Sequence, residues 1–371
     1  MDAASVLPGS RGSITRLRWS SDKPPKLWFI GLWGPKIDNA LMALTAHTPD
    51  LWSVELHEPH IDDEGMRSLA RLPKLRYLRI DPIERWTKPG FAPLMYCFPD
   101  LAPRTDRPRV TGKSLAAFAD APALEGLSLL DTVVNAEDLA ALALMPKLSS
   151  VSLPCVIDET ALGHLQACRR LSSLTLGHRE ITAEEIKRLA GWKSLRSLSI
   201  TNATLSDEAL TAFASLPAVT SLELAACGIT DARLAHLRLP PTVTTLSLRQ
   251  NLLAGPGLAA LADQPLKTLA LEYTDLSDDT LAVLPKFQTL EKLFLEYCER
   301  ITDRGIRSGA LQSMTHLTEL RLRGMKQVTD ASLDDLVKFG YLKTISVRGA
   351  GVSWDGVTRM KEAMPQTFVF K

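Results

Sequence analysis

Two stretches carry the residue types that could do chemistry. "HEPHIDDE", His57 to Glu64, packs two histidines and four acids into one short run, the raw material of a metal centre. "GPGLAA", Gly255 to Ala260, matches the GxGxxA form of a dinucleotide fingerprint. Neither spacing suits its chemistry. A helical zinc site needs histidines one turn apart on one face, with a glutamate as general base. Here His57 and His60 are three apart with Pro59 between them, and Asp62 falls in a helix-capping slot, so a solvated loop is expected. The glycine fingerprint works only where a strand turns into a helix of a dinucleotide-binding unit. "GPGLAA" instead occupies a slot that reads "SDEALTAF" two repeats earlier, so no cofactor is expected. The five cysteines (Cys97, Cys155, Cys168, Cys227, Cys298) are odd in number, far apart and without a CxxC pair, which predicts reduced, mostly buried thiols. No Ser/His/Asp or Cys/His arrangement is present, and the sequon at Asn202 needs a secretory route. The expectation is a protein without catalytic residues, metal or cofactor.

The elements around these residues are set by a repeat. The pattern LxxLxL occurs thirteen times in 371 residues, from "LWFIGL" at Leu27 to "LKTISV" at Leu342. Most steps are 23 to 25 residues; the step from Leu290 is 27 and that from Leu75 is 49. Counting the first Leu as position one, positions four and six share a face at period two, so each copy predicts a short strand. An apolar residue, a capping residue and a helical pattern follow. Twelve of thirteen capping slots hold Asp, Asn, Ser or Thr, as in Asp62, Thr182 and Ser353, and only Ala254 breaks the run. Acids crowd the next turn, where the helix dipole favours them. One unit cannot bury both its strand face and its helix face, whereas a stack of units can.

The strand pattern, with "ITDARLAHL" at Ile229, "ITDRGIRSGAL" at Ile301 and "VTDASLDDL" at Val328, resembles the leucine-rich repeat family over nearly the whole chain. Cys227 and Cys298 at position nine, with Asn251 in the same slot, are similar to the cysteine-containing, short ribonuclease-inhibitor-like subclass. The resemblance implies an α/β fold: a curved horseshoe solenoid of about 13 repeats, parallel strands concave and helices convex. Residues 1–26 are expected to form a tail and capping strand, with Ile14 to Trp19 as the strand. Residues 27–371 form the solenoid, interrupted by a Pro- and aromatic-rich insertion at 81–109. It closes with a C-terminal cap at about 353–371, where Phe368 and Phe370 are expected to seal the core.

Function then falls to surfaces. Net charge is +1 with 23% charged residues, which gives no whole-chain reason for nucleic acid, and no apolar run is long enough to span a bilayer. The start lacks an apolar signal region, so a cytoplasmic protein is expected, or one delivered into a host cell. Positions three, five and seven point out of the concave face. In the middle copies positions three and five are mostly Ser, Thr and Gly, from Gly126 and Ser128 to Thr245 and Ser247. The N-terminal end instead offers Phe29, Trp33, Tyr77 and Arg79, and the C-terminal end offers Lys292, Phe294, Glu296, Tyr297, Arg321, Arg323 and Arg348. Trp86, Phe91, Tyr96 and Phe98 in the insertion add aromatic anchors, and aromatics with arginine dominate binding energy at interfaces. The reading is a non-enzymatic protein-interaction module, monomeric when alone. It takes another protein, not nucleic acid or a membrane, through the concave face and the 81–109 loop. The alternatives are an enzyme built around Cys97 and a purely structural scaffold.

Overall fold

The computed structural model describes residues 14–19, 26–33, 37–57, 59–81 and 110–371; for Ile14–Trp19, Trp33 and Asp120 it describes the backbone alone. They divide into two compact units, one running to Leu198 and one from Ser199 to Lys371.

The first unit begins with β1 (Ile14–Trp19), which pairs antiparallel with β2 (Leu27–Trp33), Arg18 opposite Phe29. Parallel strands follow in chain order: β3 (Ser53–His57), β4 (Tyr77–Asp81), β5 (Gly126–Ser128), β6 (Ser150–Leu153) and β7 (Ser173–Gly177). Their register places position four against position four, as in Val54 against Leu78 and Leu78 against Leu127. A two-residue strand, β8 (Glu180–Ile181), leads into the next return leg. The division into units falls inside β9 (Ser197–Thr201).

The second unit has a two-residue β10 (Thr204–Leu205), then β11 (Ser221–Ala225), β12 (Thr245–Ser247), β13 (Thr268–Ala270), β14 (Lys292–Phe294), β15 (Glu319–Arg321), β16 (Thr344–Ser346) and β17 (Phe368–Phe370). From β11 to β17 every neighbour is parallel and in register, Leu222–Leu246–Leu269–Leu293–Leu320–Ile345–Val369. From the second repeat onward the leucines of positions one, four and six are buried, whereas Leu27 and Leu32 of the first are half-buried, so the repeats contribute layers to an apolar core between the sheet and the return legs. This is the α/β solenoid architecture that the repeat predicts.

Three expectations change. Several return legs are 3-10 rather than α-helical, among them Gly112–Asp120, Glu137–Leu144 and Pro256–Leu261. A short repeat has few residues for the return, and a 3-10 turn advances about 2.0 Å per residue against about 1.5 Å for an α-helix. Thr111 and Thr230 precede their helices without a side-chain capping bond. Finally, the end of the chain seals the core with Val369. Phe368 and Phe370 lie opposite Thr344 and Ser346, on the open face, and are 71% and 55% exposed. Strand alternation decides this: the core side falls to the residue between the two aromatics.

Candidate functional site

Two features that the repeat pattern leaves unstated hold the open face in place. The first is a left-handed residue at position eight. His178, Asn202, Ala226, Gln250, Tyr273 and Tyr297 have φ of 49° to 61°, and Gly324 and Gly349 follow at 77° and 66°. Each turns the chain off the sheet and holds position seven at the rim. The second is an acid one place after the capping slot, which reaches into the next repeat. Asp278 accepts from the Thr302 amide N–H (2.7 Å) and hydroxyl (2.8 Å), and Asp303 accepts likewise from Thr329 (2.8 and 2.6 Å). Where Ala254 lacks a hydroxyl, Asp231 accepts from the amides of Ala254, Gly255 and Gly257 at 2.7, 3.0 and 2.8 Å. The glycines of "GPGLAA" therefore serve the stack. Gly255 sits at φ +119°, and a Cβ on Gly257 would lie 2.3 Å from the Asp231 carbonyl oxygen.

Position nine is the interior counterpart. Buried Asn251 accepts from the Cys227 and Ile229 amides (both 3.0 Å) and donates to the Leu224 and Leu248 carbonyls at 2.6 and 2.9 Å. Cys298 donates to the Leu271 carbonyl at 3.2 Å. Burial pushes the thiols of Cys227 and Cys298 up to about 12 and those of Cys155 and Cys168 to about 11. In the first unit Arg179 takes this slot and donates to Glu185 at 2.8 and 2.9 Å and to the Cys155 carbonyl at 2.9 Å.

On the N-terminal open face the ring planes of Trp28 and Trp52 stack 4.8 Å apart, and Tyr77 meets Trp52 edge-on at 5.9 Å. Arg76 lies 5.8 Å from the Trp52 ring and is held by both oxygens of Glu125, at 3.1 and 2.9 Å. The Tyr77 hydroxyl donates to Glu125 at 3.0 Å, and its ring lies over Gly126. The Arg76 hydrogen bonds, with that of Tyr77, hold the Glu125 carboxyl below its ordinary range. Arg79 pairs at 2.7 Å with buried Asp81, which also accepts from Ser128. Phe29, expected on the surface, is 6% exposed, with the Trp28 ring edge-on at 6.1 Å. The side chain of Trp33 lies outside the described residues, as do Trp86, Phe91, Tyr96, Cys97 and Phe98.

The C-terminal candidates do come together. Arg321 sits 4.2 Å above the Phe294 ring and pairs with Glu319 at 2.7 Å; Lys292 reaches the same carboxylate at 3.5 Å. Tyr297 stacks on Tyr273 at 4.5 Å, and Arg323 lies 5.7 Å from the Tyr297 ring. Beside them stands Glu272, at position seven of the Leu266 copy. Burial, with Glu296 on the next strand, pushes its carboxyl up to about 7, and its Oε2 is enclosed without a hydrogen-bond partner. The signal in sequence is two acids at position seven of successive copies. Arg348 stands exposed at the same position of β16.

Parallel repeat strands in register within each unit, leucine layers and a position-nine ladder within the second unit settle the architecture. The fold is that of a leucine-rich-repeat protein. No family model and no curated protein matches the chain. Among solved structures it is similar to an internalin (inlF) of Listeria monocytogenes, at 18% identity over 88% of this chain and 81% of that one, TM-score 0.45. A TLR13–ssRNA13 complex gives 16% identity over 89% of this chain and 54% of that one, TM-score 0.47. The Leptospira interrogans leucine-rich-repeat protein LIC12759 gives 15% identity over 87% and 91%, TM-score 0.42. Among the described residues no helix is long and apolar enough to cross a membrane.

Proposed function

We propose that this leucine-rich-repeat protein is a non-enzymatic interaction module whose open sheet face binds another protein. The observation that carries the reading is the contrast along that face. Serine and threonine line β6 and β7, whereas stacked aromatics and arginines are gathered on β2 to β4 and again on β14 to β16. Pre-stacked arginine and aromatic side chains lose little freedom on binding, which suits them as anchors. Tyr77 and Arg79 serve the first surface; Lys292, Phe294, Glu296, Tyr297, Arg321, Arg323 and Arg348 serve the second. The insertion at 81–109 belongs to the proposal through its own sequence, with Trp86, Phe91, Tyr96 and Phe98 as its anchors.

Crosslinking and capture with the full chain tests it. A specific partner captured by wild type should be lost with Phe294→Ala/Arg321→Ala or with Tyr77→Ala, and weakened by deleting 83–108. Full retention of the partner by all three variants would refute the open-face assignment.

A further inference from the structure

On the open face of the second unit the acids Glu272 and Glu296 stand together, but the arginines of that face are matched as a rule. Arg249 at position seven meets Glu223 at 2.7 Å, and Arg321 meets Glu319 at 2.7 Å. Arg323 and Arg348 break the rule. Both are exposed and both take position seven, in the turns that follow the neighbouring strands β15 and β16. The Gly324 amide donates to the Arg348 carbonyl at 2.9 Å, which carries the ladder through this pair. Parallel strands lie about 4.8 Å apart, and like charges side by side on a sheet destabilise it. Among the described residues neither guanidinium has a carboxylate within salt-bridge reach.

The pair is also built rather than loose. Arg323 lies against Tyr297, whose ring is stacked on Tyr273 and rests across Gly324; a Cβ there would be 2.4 Å from the ring. On the other side of Arg348, β17 presents Phe370 opposite Ser346 on the same face. Two unmatched guanidinium forks therefore stand beside an exposed aromatic ring.

We propose that Arg323 and Arg348 form a clamp for the carboxylate side chains of an acidic segment of a protein partner, with an apolar neighbour of those acids packing on Phe370. The proposal rests on the interaction-module reading and names its partner's chemistry. Arginine forks take carboxylates in a bidentate fashion. A continuous nucleic-acid backbone fits less well, because it needs a long basic track, whereas the basic surface here is confined to this pair and acids (Glu272, Glu296) take position seven in the two preceding copies; only a short acidic segment finds arginines along its length.

Fluorescence anisotropy on the full chain tests the clamp with three probes of similar length. They are a short peptide with two glutamates among leucine and alanine, the same peptide with glutamines, and a single-stranded RNA. The glutamate peptide should saturate below about 1 mM and bind about tenfold tighter than the glutamine peptide. Arg323→Gln/Arg348→Gln should erase that preference, and Phe370→Ala should weaken both peptides several-fold. The double variant should melt at or above the wild-type temperature, since a like-charge pair has been removed; arginines with a structural role would lower it. Equal binding of the two peptides, no saturation below about 1 mM, an unaltered preference in the double variant, or tighter binding of the RNA would each overturn the proposal. If capture of a partner still depends on Phe294 and Tyr77 while the glutamate preference is absent, the clamp falls and the module reading stands. If no open-face variant alters capture, the module reading itself falls.

Discussion

The Arg179–Glu185 pair gives the sharpest test of how the first unit is held together. The Glu185 side chain is 3% exposed and that of Arg179 17%. Besides the two guanidinium bonds, Glu185 accepts from the Ile157 amide at 2.9 Å and the Thr182 amide at 3.2 Å. Glu185→Ala would strand a cation and two amide hydrogens in the interior. Removing one partner of a buried pair costs about 3 to 5 kcal/mol. Arg179 keeps the Cys155 and Glu180 carbonyls at 2.9 and 2.8 Å, so the lower end of that range, about 3 kcal/mol, is expected. Burial alone would push the Glu185 carboxyl up; the Arg179 hydrogen bonds, the Ile157 amide and the Arg179 charge outweigh it and hold the group below its ordinary range. A lowered folded pKa means stability that is full above the unfolded value of about 4.3 and is lost as pH falls through the folded one. The assay is urea unfolding followed by circular dichroism at pH 7 and pH 3.5. At pH 7 the variant should lose about 3 kcal/mol, and the gap should narrow in acid. Arg179→Leu/Glu185→Leu should recover part of the loss, since an apolar pair removes the stranded charge while the Ile157 and Thr182 amides stay without their acceptor. A loss under about 1 kcal/mol in Glu185→Ala, or a double variant as weak as the single, would refute the reasoning.

Four further outcomes follow from the same stack. Gly324→Ala, at φ +77° with the Tyr297 ring in the way, should destabilise by about 2 kcal/mol in thermal melts, and Tyr297→Ala should recover part of that by opening the space. Asn251→Ala leaves two amides and two carbonyls without their partner and should cost about 2 to 4 kcal/mol in urea titrations; a cost below about 1 kcal/mol would argue against the ladder. Glu272, raised to about 7 by burial and by Glu296, holds its proton better folded than unfolded, so it favours the fold in acid and this contribution is lost as pH rises toward 7. Glu272→Gln should therefore melt above wild type at pH 8, with a difference that shrinks toward pH 5; a gap that does not change with pH would count against it. Native thiol labelling at pH 8 should spare Cys227 and Cys298, whose buried thiols lie near 12, and label them after unfolding.

The leucine spacing made the strands, the core layers and the capping slots legible before any coordinates. It even located β1, because an apolar extended run before a Pro-Pro turn has few other uses. Less legible was what the polar residues between the leucines do. Asp278 and Asp303 read as dipole partners of their own helices, yet they mainly hold the next repeat's Thr302 and Thr329. Position eight gave no warning of its left-handed backbone, since His, Asn, Ala, Gln and Tyr share no chemistry that demands it. Phe29 and Phe370 show the same limit on the surface. Their strand parity was right for Phe29 and misjudged for Phe370, yet Phe29 is buried, while Phe370, on the last strand of its sheet, is exposed.

Period-two and repeat-length patterns are local properties of a chain, so the sequence alone determined the repeat and the fold. Which charges find partners is a matter of register between strands some 24 residues apart, and only the tertiary structure decided it. Hydrogen bonding and Coulomb energy depend on distances of a few ångströms that no single repeat contains. That is why Arg249, Arg323 and Arg348 look alike in sequence at position seven, while Arg249 is matched by Glu223 of the preceding repeat and, among the described residues, the other two have no carboxylate within salt-bridge reach.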